Sequence, residues 1–332
     1  MKAVVLKCRP NSEFHFGVPS VDQNSSLDTT SVIFHSDTLF SAIINTVAKV
    51  FPDDVELFIN LFGYGNYSPK IKVSSGFYCI ELQGKMIYFL PKPIDYNLEI
   101  TDNHKLVKKV MFVSTEIWKQ NIRPIDWEKK AVILQDKFVV SKEEWQNKRN
   151  YRVYHTNSVP KVHVHKPDKE DSIFYQTNLI IADGKQYVDN SSVHFYFLLE
   201  EELNEEDKKK LLTILNLLPI EGIGGERSSG CGKFENIEFR DDFPTDFVGN
   251  RRCSVSLSIP QDISEFKQFQ YYNLVTRGGR NIGFNNQYLK KVKMILEGAV
   301  IESNAQGSVV DISPQSQKDY LRYGRTFSLP IT

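Results

Sequence analysis

The stretch Ile220–Glu235 reads IEGIGGERSSGCGKFE, and five of the chain's eighteen glycines fall between Gly222 and Gly232. Two nucleotide-binding motifs fail on it. A phosphate loop, G-x-x-x-x-G-K-[ST], finds its glycines at Gly225 and Gly230, but Cys231 holds the lysine position. Counted back from Lys233, the first glycine position is Arg227, and Phe234 follows where Ser or Thr belongs. The dinucleotide fingerprint G-x-G-x-x-G begins at Gly222 and Gly224 and breaks at Arg227. That fingerprint also follows a strand and opens a helix, whereas here a helical segment precedes and a strand follows.

Working outward from the loop, LNEEDKKKLLTILNLLPIEG predicts a helix. Asn204 caps it, acids fill its first turn, Leu211, Leu212, Leu215 and Leu218 form the buried stripe, and Pro219 and Gly222 end it. Before it, SVHFYFLLE alternates, with Val193, Phe195, Phe197 and Leu199 on one face; after the loop, GKFENIEF is a further strand. At the N-terminus KAVVLKCRP alternates as a first strand, followed by a long polar loop. HSDTLFSAIINTVAKVF has Leu39, Phe40, Ile43, Val47 and Val50 at helical spacing, with Ser36 or Asp37 as N-cap and Pro52 as terminator. SGFYCIELQGKMIYFLPKP is a hairpin about Gln83-Gly84-Lys85. Residues 95–170 are charged and contain all three tryptophans, and they read as an insertion with a protruding hairpin rather than as core.

The order strand, helix, hairpin, insertion, strand, helix, glycine loop, strand is that of a split βαβ, ferredoxin-like (RRM-like) domain. The expected fold is therefore α+β with two ferredoxin-like domains. Residues 1–245 form the first, with the insertion at about 95–170 and the C-terminal glycine-rich loop; residues 246–332 form a second, smaller one, in short strands such as VKMILEGAVIES and GSVVDISP without a long helix.

Composition narrows the class. The 332 residues are 41% hydrophobic and 25% charged, and 41 Lys+Arg balance 41 Asp+Glu, so any contact with nucleic acid rests on local patches. Cys8, Cys79, Cys231 and Cys253 are scattered without a C-x-x-C pair, which argues against a zinc site and for a reducing, cytoplasmic setting. The first residues lack a signal-peptide apolar run, and no segment approaches the ~18 apolar residues of a membrane span.

The loop Gly222-Ile-Gly-Gly-Glu-Arg-Ser-Ser-Gly-Cys-Gly-Lys-Phe234 matches G-x-G-G-x-R-S-x-G-x-G-x-F throughout. Placed after the last helix of such a domain, it resembles the signature of the RAMP superfamily of CRISPR proteins. FHFG, HSDTLFSAI, VPKVHVHK with SIFYQTNL, and the C-terminal RGGR, EGAVI, GSVVDISP and YLRYGRTFSLPI narrow the resemblance. Together they are similar to the family of fourth subunits of type III-A Csm effector complexes, with the equivalent subunit of the Cmr complex as the alternative. The resemblance spans nearly the whole chain. It implies a non-catalytic protein without cofactor or metal that binds the 5′ tag of the CRISPR RNA. It also implies partners, a large polymerase-cyclase-like subunit and a backbone RAMP subunit, which this chain joins.

The residues suit RNA in three places. At the loop, Gly222, Gly224, Gly225, Gly230 and Gly232 leave backbone N–H groups approachable by phosphate, while Arg227, Ser228, Ser229 and Lys233 add charge and donors. The alternative is glycines that merely shape a turn. Arg251–Lys293 carries eight cations against Asp262 and Glu265, including Arg277-Gly278-Gly279-Arg280, with Tyr271, Tyr272 and Phe284 as stacking surfaces; its alternative is a solvated basic face. The hairpin carries Arg149, Arg152, Lys161, His163, His165 and Lys166, facing either the guide strand or a neighbouring protein.

His35 and Ser36 are the remaining candidate RNA contacts. An endoribonuclease processing repeat RNA would use His35 as general base, against which stands a packing or RNA-contacting imidazole. Asp37, tempting as a catalytic carboxylate, reads as an N-cap. His163 and His165 alternate on a strand, but no third metal ligand is spaced near them. A scaffold without RNA contact is the third reading, supported by the acidic run Glu200–Asp207.

Overall fold

The computed structural model describes residues 1–18, 27–146, 150–163, 172–279, 288–314 and 320–332. Strands β1 (Lys2–Lys7), β2 (Phe77–Leu82), β3 (Ser191–Glu201) and β4 (Asn236–Arg240) lie in the order β4-β1-β3-β2, every neighbour antiparallel. Helix α1 (Ser36–Val50) connects toward β2, helix α2 (Glu205–Glu221) connects β3 to β4, and the two helices pack together.

β3 was expected to show one apolar face, but it is buried on both. Phe195 meets Phe14, Phe16 and Tyr78 on one side, and Tyr196 meets Tyr88 and Phe243 on the other. A central strand covered twice gains from apolar residues at every position. Asn204 caps α2 as expected, its side chain accepting from the Asp207 amide at 2.9 Å. Pro219 lies inside the helix, which runs on to Gly222, and Ile214 replaces Leu212 in the buried stripe. The N-cap position of α1 is His35, so neither Ser36 nor Asp37 caps it.

Much of the expected insertion is core. Strands Phe112–Ser114, Ala131–Leu134 and Phe138–Ser141 continue the main sheet beyond the hairpin partner Lys85–Pro91. Phe112 stacks on Phe138 at 5.0 Å, and Trp118, Trp127 and Trp145 are buried. The lysines from Lys105 to Lys142 that made this segment read as polar lie in the short helices His104–Lys109, Thr115–Lys119 and Trp127–Lys130 and in the turns, while the strands between them are apolar. The protruding hairpin exists within it: Tyr154–His163 pairs with Ser172–Ile181, which pairs with Glu13–Phe14.

Beyond residue 248, β5 (Arg251–Ser254), β6 (Phe269–Tyr271), β7 (Val300–Ile301) and β8 (Ser328–Ile331) lie in the order β6-β7-β5-β8, all antiparallel. Numbered along the chain, both sheets have the order 4-1-3-2. Between β5 and β6 the second has only the four-residue helix Ile263–Phe266; the hairpins Leu274–Arg277 with Val292–Ile295 and Gly307–Asp311 with Leu321–Arg325 fill the later connections.

The main apolar core runs through both parts, and a smaller cluster about Phe269, Ile295 and Ile301 lies within the C-terminal part. Tyr323 stacks on Phe40 of α1 at 5.3 Å and meets Phe62 edge-on, and such aromatic pairs add about 0.5–1.5 kcal/mol beyond their area. Backbone joins them too: the Ser75 amide donates to Val255 and the Ile94 amide to Gly298, each at 2.9 Å. Gly298 has φ +86, and a Cβ there would stand 2.6 Å from the Lys92 carbonyl, so only glycine permits this approach.

Candidate nucleic-acid interface

The glycine-rich loop divides into a base and a tip. At the base, the Gly222 amide closes α2 on Leu218, and the Ile223 amide donates to Gly232 at 2.9 Å. The Gly232 amide reaches Glu13 at 2.7 Å, and the Gly225 amide reaches His15 at 2.8 Å. A Cβ on Gly232 would lie 2.1 Å from the Ile223 carbonyl, and one on Gly224 would lie 2.6 Å from that of His15. Gly225 and Gly232 thus fasten the loop to Glu13 and His15, Gly224 permits the close pass by the His15 carbonyl, and Gly222 ends the helix, structural duties that correct their expected part in seating RNA.

The tip is different. Arg227–Ser229 form a single 3-10 turn between Glu226 and Gly230, both left-handed at φ 54 and φ 96. Arg227, Ser228, Ser229, Gly230 and Lys233 are exposed. The amides of Ser229, Gly230 and Cys231 fold back on the carbonyls of Glu226 and Arg227. Among the described residues the amides of Arg227 and Ser228 have no protein acceptor, in a turn whose residues are exposed; the Arg227 guanidinium turns back so that Nη1 donates to the Glu221 carbonyl at 3.4 Å. The Glu226 carboxylate, which accepts from the Ser229 hydroxyl, is the opposing charge.

The hairpin joins this tip. Through Glu13–Phe14 the loop, strand Ser172–Ile181 and strand Tyr154–His163 form one continuous surface. Gln176 Nε2 lies 3.8 Å from Cys231 Sγ. Burial, then the Glu13 carboxylate, hold the Cys231 thiol above its ordinary value, against the ammonium of nearby Lys161. Lys161 lies opposite Phe174 on the hairpin, whose other strand carries Gln176. His163 is within the strand, but its side chain, with Arg149, His165, Lys166, Arg280 and Phe284, lies outside the described residues.

The other candidates are withdrawn from the surface. His35 is buried, with Nδ1 2.8 Å from Glu297 Oε1 and Nε2 3.2 Å from the Ser31 hydroxyl. Ser36 is fully buried, and its hydroxyl accepts from the Leu257 amide at 3.1 Å. Arg277 is buried too, donating through Nε and Nη2 to the two oxygens of Asp37 at 2.9 and 3.0 Å. His35, Ser36 and Arg277 were expected to touch RNA; instead they bind the first α helix to the C-terminal part of the chain. The sequence reading missed Arg322, whose Nη1 is 2.7 Å from Asp37 Oδ2 and whose Nη2 donates to the Gly278 carbonyl. No local pattern pairs residues so far apart.

Burial by itself would raise the Asp37 carboxyl; the Arg277 and Arg322 guanidiniums outweigh it and hold the group well below the carboxylate range. At Glu297 burial is likewise outweighed by His35 and the Ser75 hydroxyl, and the carboxyl is lowered. Arg251 is paired with Asp95 and Arg252 is tied to Ser328, so the arginines 251, 252 and 277 of the basic stretch 251–293 are engaged within the fold, while among the described residues its lysine side chains are not. Gly279, Lys267, Lys290, Lys291 and Lys293 are exposed, and Tyr272 packs on Phe266. Among the described residues no three metal-binding side chains cluster, and no helix is long and apolar enough to cross a membrane.

Comparison with known proteins adds three kinds of likeness. The family profile of the RAMP superfamily matches residues 25–235, and that of the CRISPR Csm4 C-terminal domain matches residues 248–331. A curated relative from Methanocaldococcus jannaschii, described as CRISPR system Cms protein Csm4, is 31% identical and covers 96% of this chain and 90% of its own length. Among solved structures, a chain of the Csm3-Csm4 subcomplex of the type III-A CRISPR-Cas interference complex superposes with TM-score 0.70 at 23% identity, covering all of both chains. A chain of a Csm1-Csm4 cassette in complex with cA4 superposes with TM-score 0.57 at 18% identity, covering 100% of this chain and 98% of that one.

Proposed function

Because the chain belongs to the Csm4 family within the RAMP superfamily, we propose that it serves in a type III-A CRISPR effector complex as the subunit holding the 5′ tag of the CRISPR RNA. In this reading it joins a large Csm1-type subunit to a Csm3-type backbone subunit, in the cytoplasm. The two 4-1-3-2 sheets support two ferredoxin-like domains, at 1–245 and 246–332, the second with hairpins in place of helices. The observation that carries the RNA assignment is the exposed tip: amides at Arg227 and Ser228 without a protein acceptor among the described residues, on a turn that carries Arg227 and Lys233, with Lys161 on the adjoining hairpin. Backbone donors with adjacent cations suit a ribose-phosphate strand without reading its bases. The proposed contacts are accordingly Arg227, Ser228, Ser229, Gly230, Lys233, Lys161 and His163.

The subunit acts without catalysis in this reading. Both His35 ring nitrogens are engaged, and Asp37 is locked by two guanidiniums, so neither presents a free base to a 2′-hydroxyl. The test is a reconstituted complex carrying CRISPR RNA with a photoreactive nucleotide in the tag. Crosslinks to peptides containing residues 226–233 support the assignment; crosslinks to every subunit except this one overturn it. Cleavage of repeat RNA by the wild type that vanishes in His35→Ala would defeat the non-catalytic reading.

A further inference from the structure

Arg325 is 95% buried, at 5% relative exposure, yet it forms no ion pair among the described residues. Its Nη1 donates to the Gly307 carbonyl at 2.8 Å, its Nη2 to the carbonyls of Gly63 and Tyr67, and its Nε has no partner. A Cβ on Gly63 would stand 2.9 Å from both Nε and Nη2, so the bare Gly63 backbone is what lets the guanidinium lie there. A buried cation without a counter-ion is costly and gains from an anion.

Arg325 lines an open groove of about 760 Å³ between the loop after residue 61 and the C-terminal part of the chain. Its lining includes Lys72, Tyr67, Gln261, Gln306 and Ser308, and no carboxylate. Glu265, whose charge acts on Arg325 without an ion pair, is turned onto the backbone amides of Gln261, Gln306 and Gly307. Tyr67 is 60% exposed at the rim, so its ring can be reached from solvent.

We propose that this groove is a second nucleotide-binding site, taking a phosphate against Arg325 and Lys72 and a base on the ring of Tyr67. Three features together favour a nucleotide over a protein carboxylate: the exposed ring, the neutral amide and hydroxyl lining, and a volume in the range of small-ligand sites. The site shares no residue with the glycine-rich loop, so it goes beyond the tag assignment and does not rest on it.

The test uses the full chain in an Arg227→Ala/Lys233→Ala background, which removes the loop's cations. Binding of labelled single-stranded octauridylate is measured with and without added Tyr67→Ala/Lys72→Gln, two changes at side chains that reach solvent. The expected result is residual binding in the loop background that falls roughly tenfold with the groove substitutions. Displacement of the RNA by 5′-AMP identifies a single nucleotide as sufficient and supports the site. Four results overturn it: no RNA binding in the loop background, equal affinity with and without the groove substitutions, inorganic phosphate displacing as well as 5′-AMP, or hexaglutamate outcompeting the RNA. An unaltered thermal unfolding midpoint in the groove variant keeps a loss of binding from being a loss of fold.

Discussion

Asp37 and Arg277 meet across 240 residues of chain, the arginine Nε 2.9 Å from the carboxylate Oδ2 and both groups buried. Arg322 completes the cluster at 2.7 Å. The carboxylate stands in the first turn of a helix, where the macrodipole also favours negative charge, and it holds the C-terminal part of the chain against the first. A residue suited by type and position to capping or to catalysis is thereby spent on assembly of the fold.

Asp37→Asn leaves two buried guanidiniums facing a neutral amide. The expected cost is about 3–5 kcal/mol, read from urea denaturation. A loss near 1 kcal/mol, the scale of a missing N-cap, would return Asp37 to a capping role.

The same pair fixes an acid limit. Asp37 is lowered in the folded state relative to its ordinary 3.8, so its contribution is fully present above that value and fades as pH falls toward the depressed folded value. The stability gap between wild type and Asp37→Asn is expected to stay constant from neutral pH down to about pH 5 and to narrow below pH 4. A gap that is flat down to pH 2 contradicts this.

His194 acts in a higher window. Burial, with the neighbouring Lys7, lowers its imidazole from 6.5 to about 4, and the Cys8 amide donates to its Nδ1 at 3.0 Å, which requires that nitrogen unprotonated. Between these two values the unfolded chain binds a proton that the folded chain refuses, so stability rises with pH across the window. His194→Gln should flatten the denaturation midpoint between pH 4 and 6.5; an unchanged slope there refutes the assignment.

At the glycine loop, base and tip predict different losses. Gly232→Ala forces a Cβ to 2.1 Å from the Ile223 carbonyl at φ +83, while Gly230→Ala meets open space at φ +96. The first should destabilise by more than about 3 kcal/mol and the second by about 1–2, from left-handed strain alone. Equal losses measured by thermal unfolding would dissolve the division.

Arg227→Ala with Lys233→Ala removes two tip cations, and with them the bond from Arg227 Nη1 to the Glu221 carbonyl, while leaving the backbone bonds of the base in place. If each neutralises one phosphate, the slope of log affinity against log salt for tag RNA drops by about 1.4 for a single strand. An unchanged slope makes the loop only a turn.

Much of this molecule is written in short-range pattern. The alternation of KAVVLK, the helical spacing from Leu39 to Val47, the Asn204 cap and the Gln83-Gly84 turn all appear where the chain placed them. Such features depend on neighbours within a few residues, and backbone geometry repeats every two or 3.6 of them. The segment around Trp118, Trp127 and Trp145 misled because its lysines from Lys105 to Lys142, which lie in the short helices and turns, outnumber the three- and four-residue apolar strands between them, and only the sheet those strands join shows that they are covered.

The candidate site divides along the same line. The sequence by itself determined where a bare, cation-flanked turn would follow a leucine-striped helix, because residue type and spacing settle local backbone conformation. Tertiary structure alone decided which of its glycines face inward onto Glu13 and His15, that His35, Ser36 and Arg277 are buried, that Glu297 faces His35, and that Arg277 and Arg322 share Asp37. The reason is physical: whether a charged group meets solvent or an opposite charge depends on what packs over it, and here those groups arrive from 240 to 285 residues away.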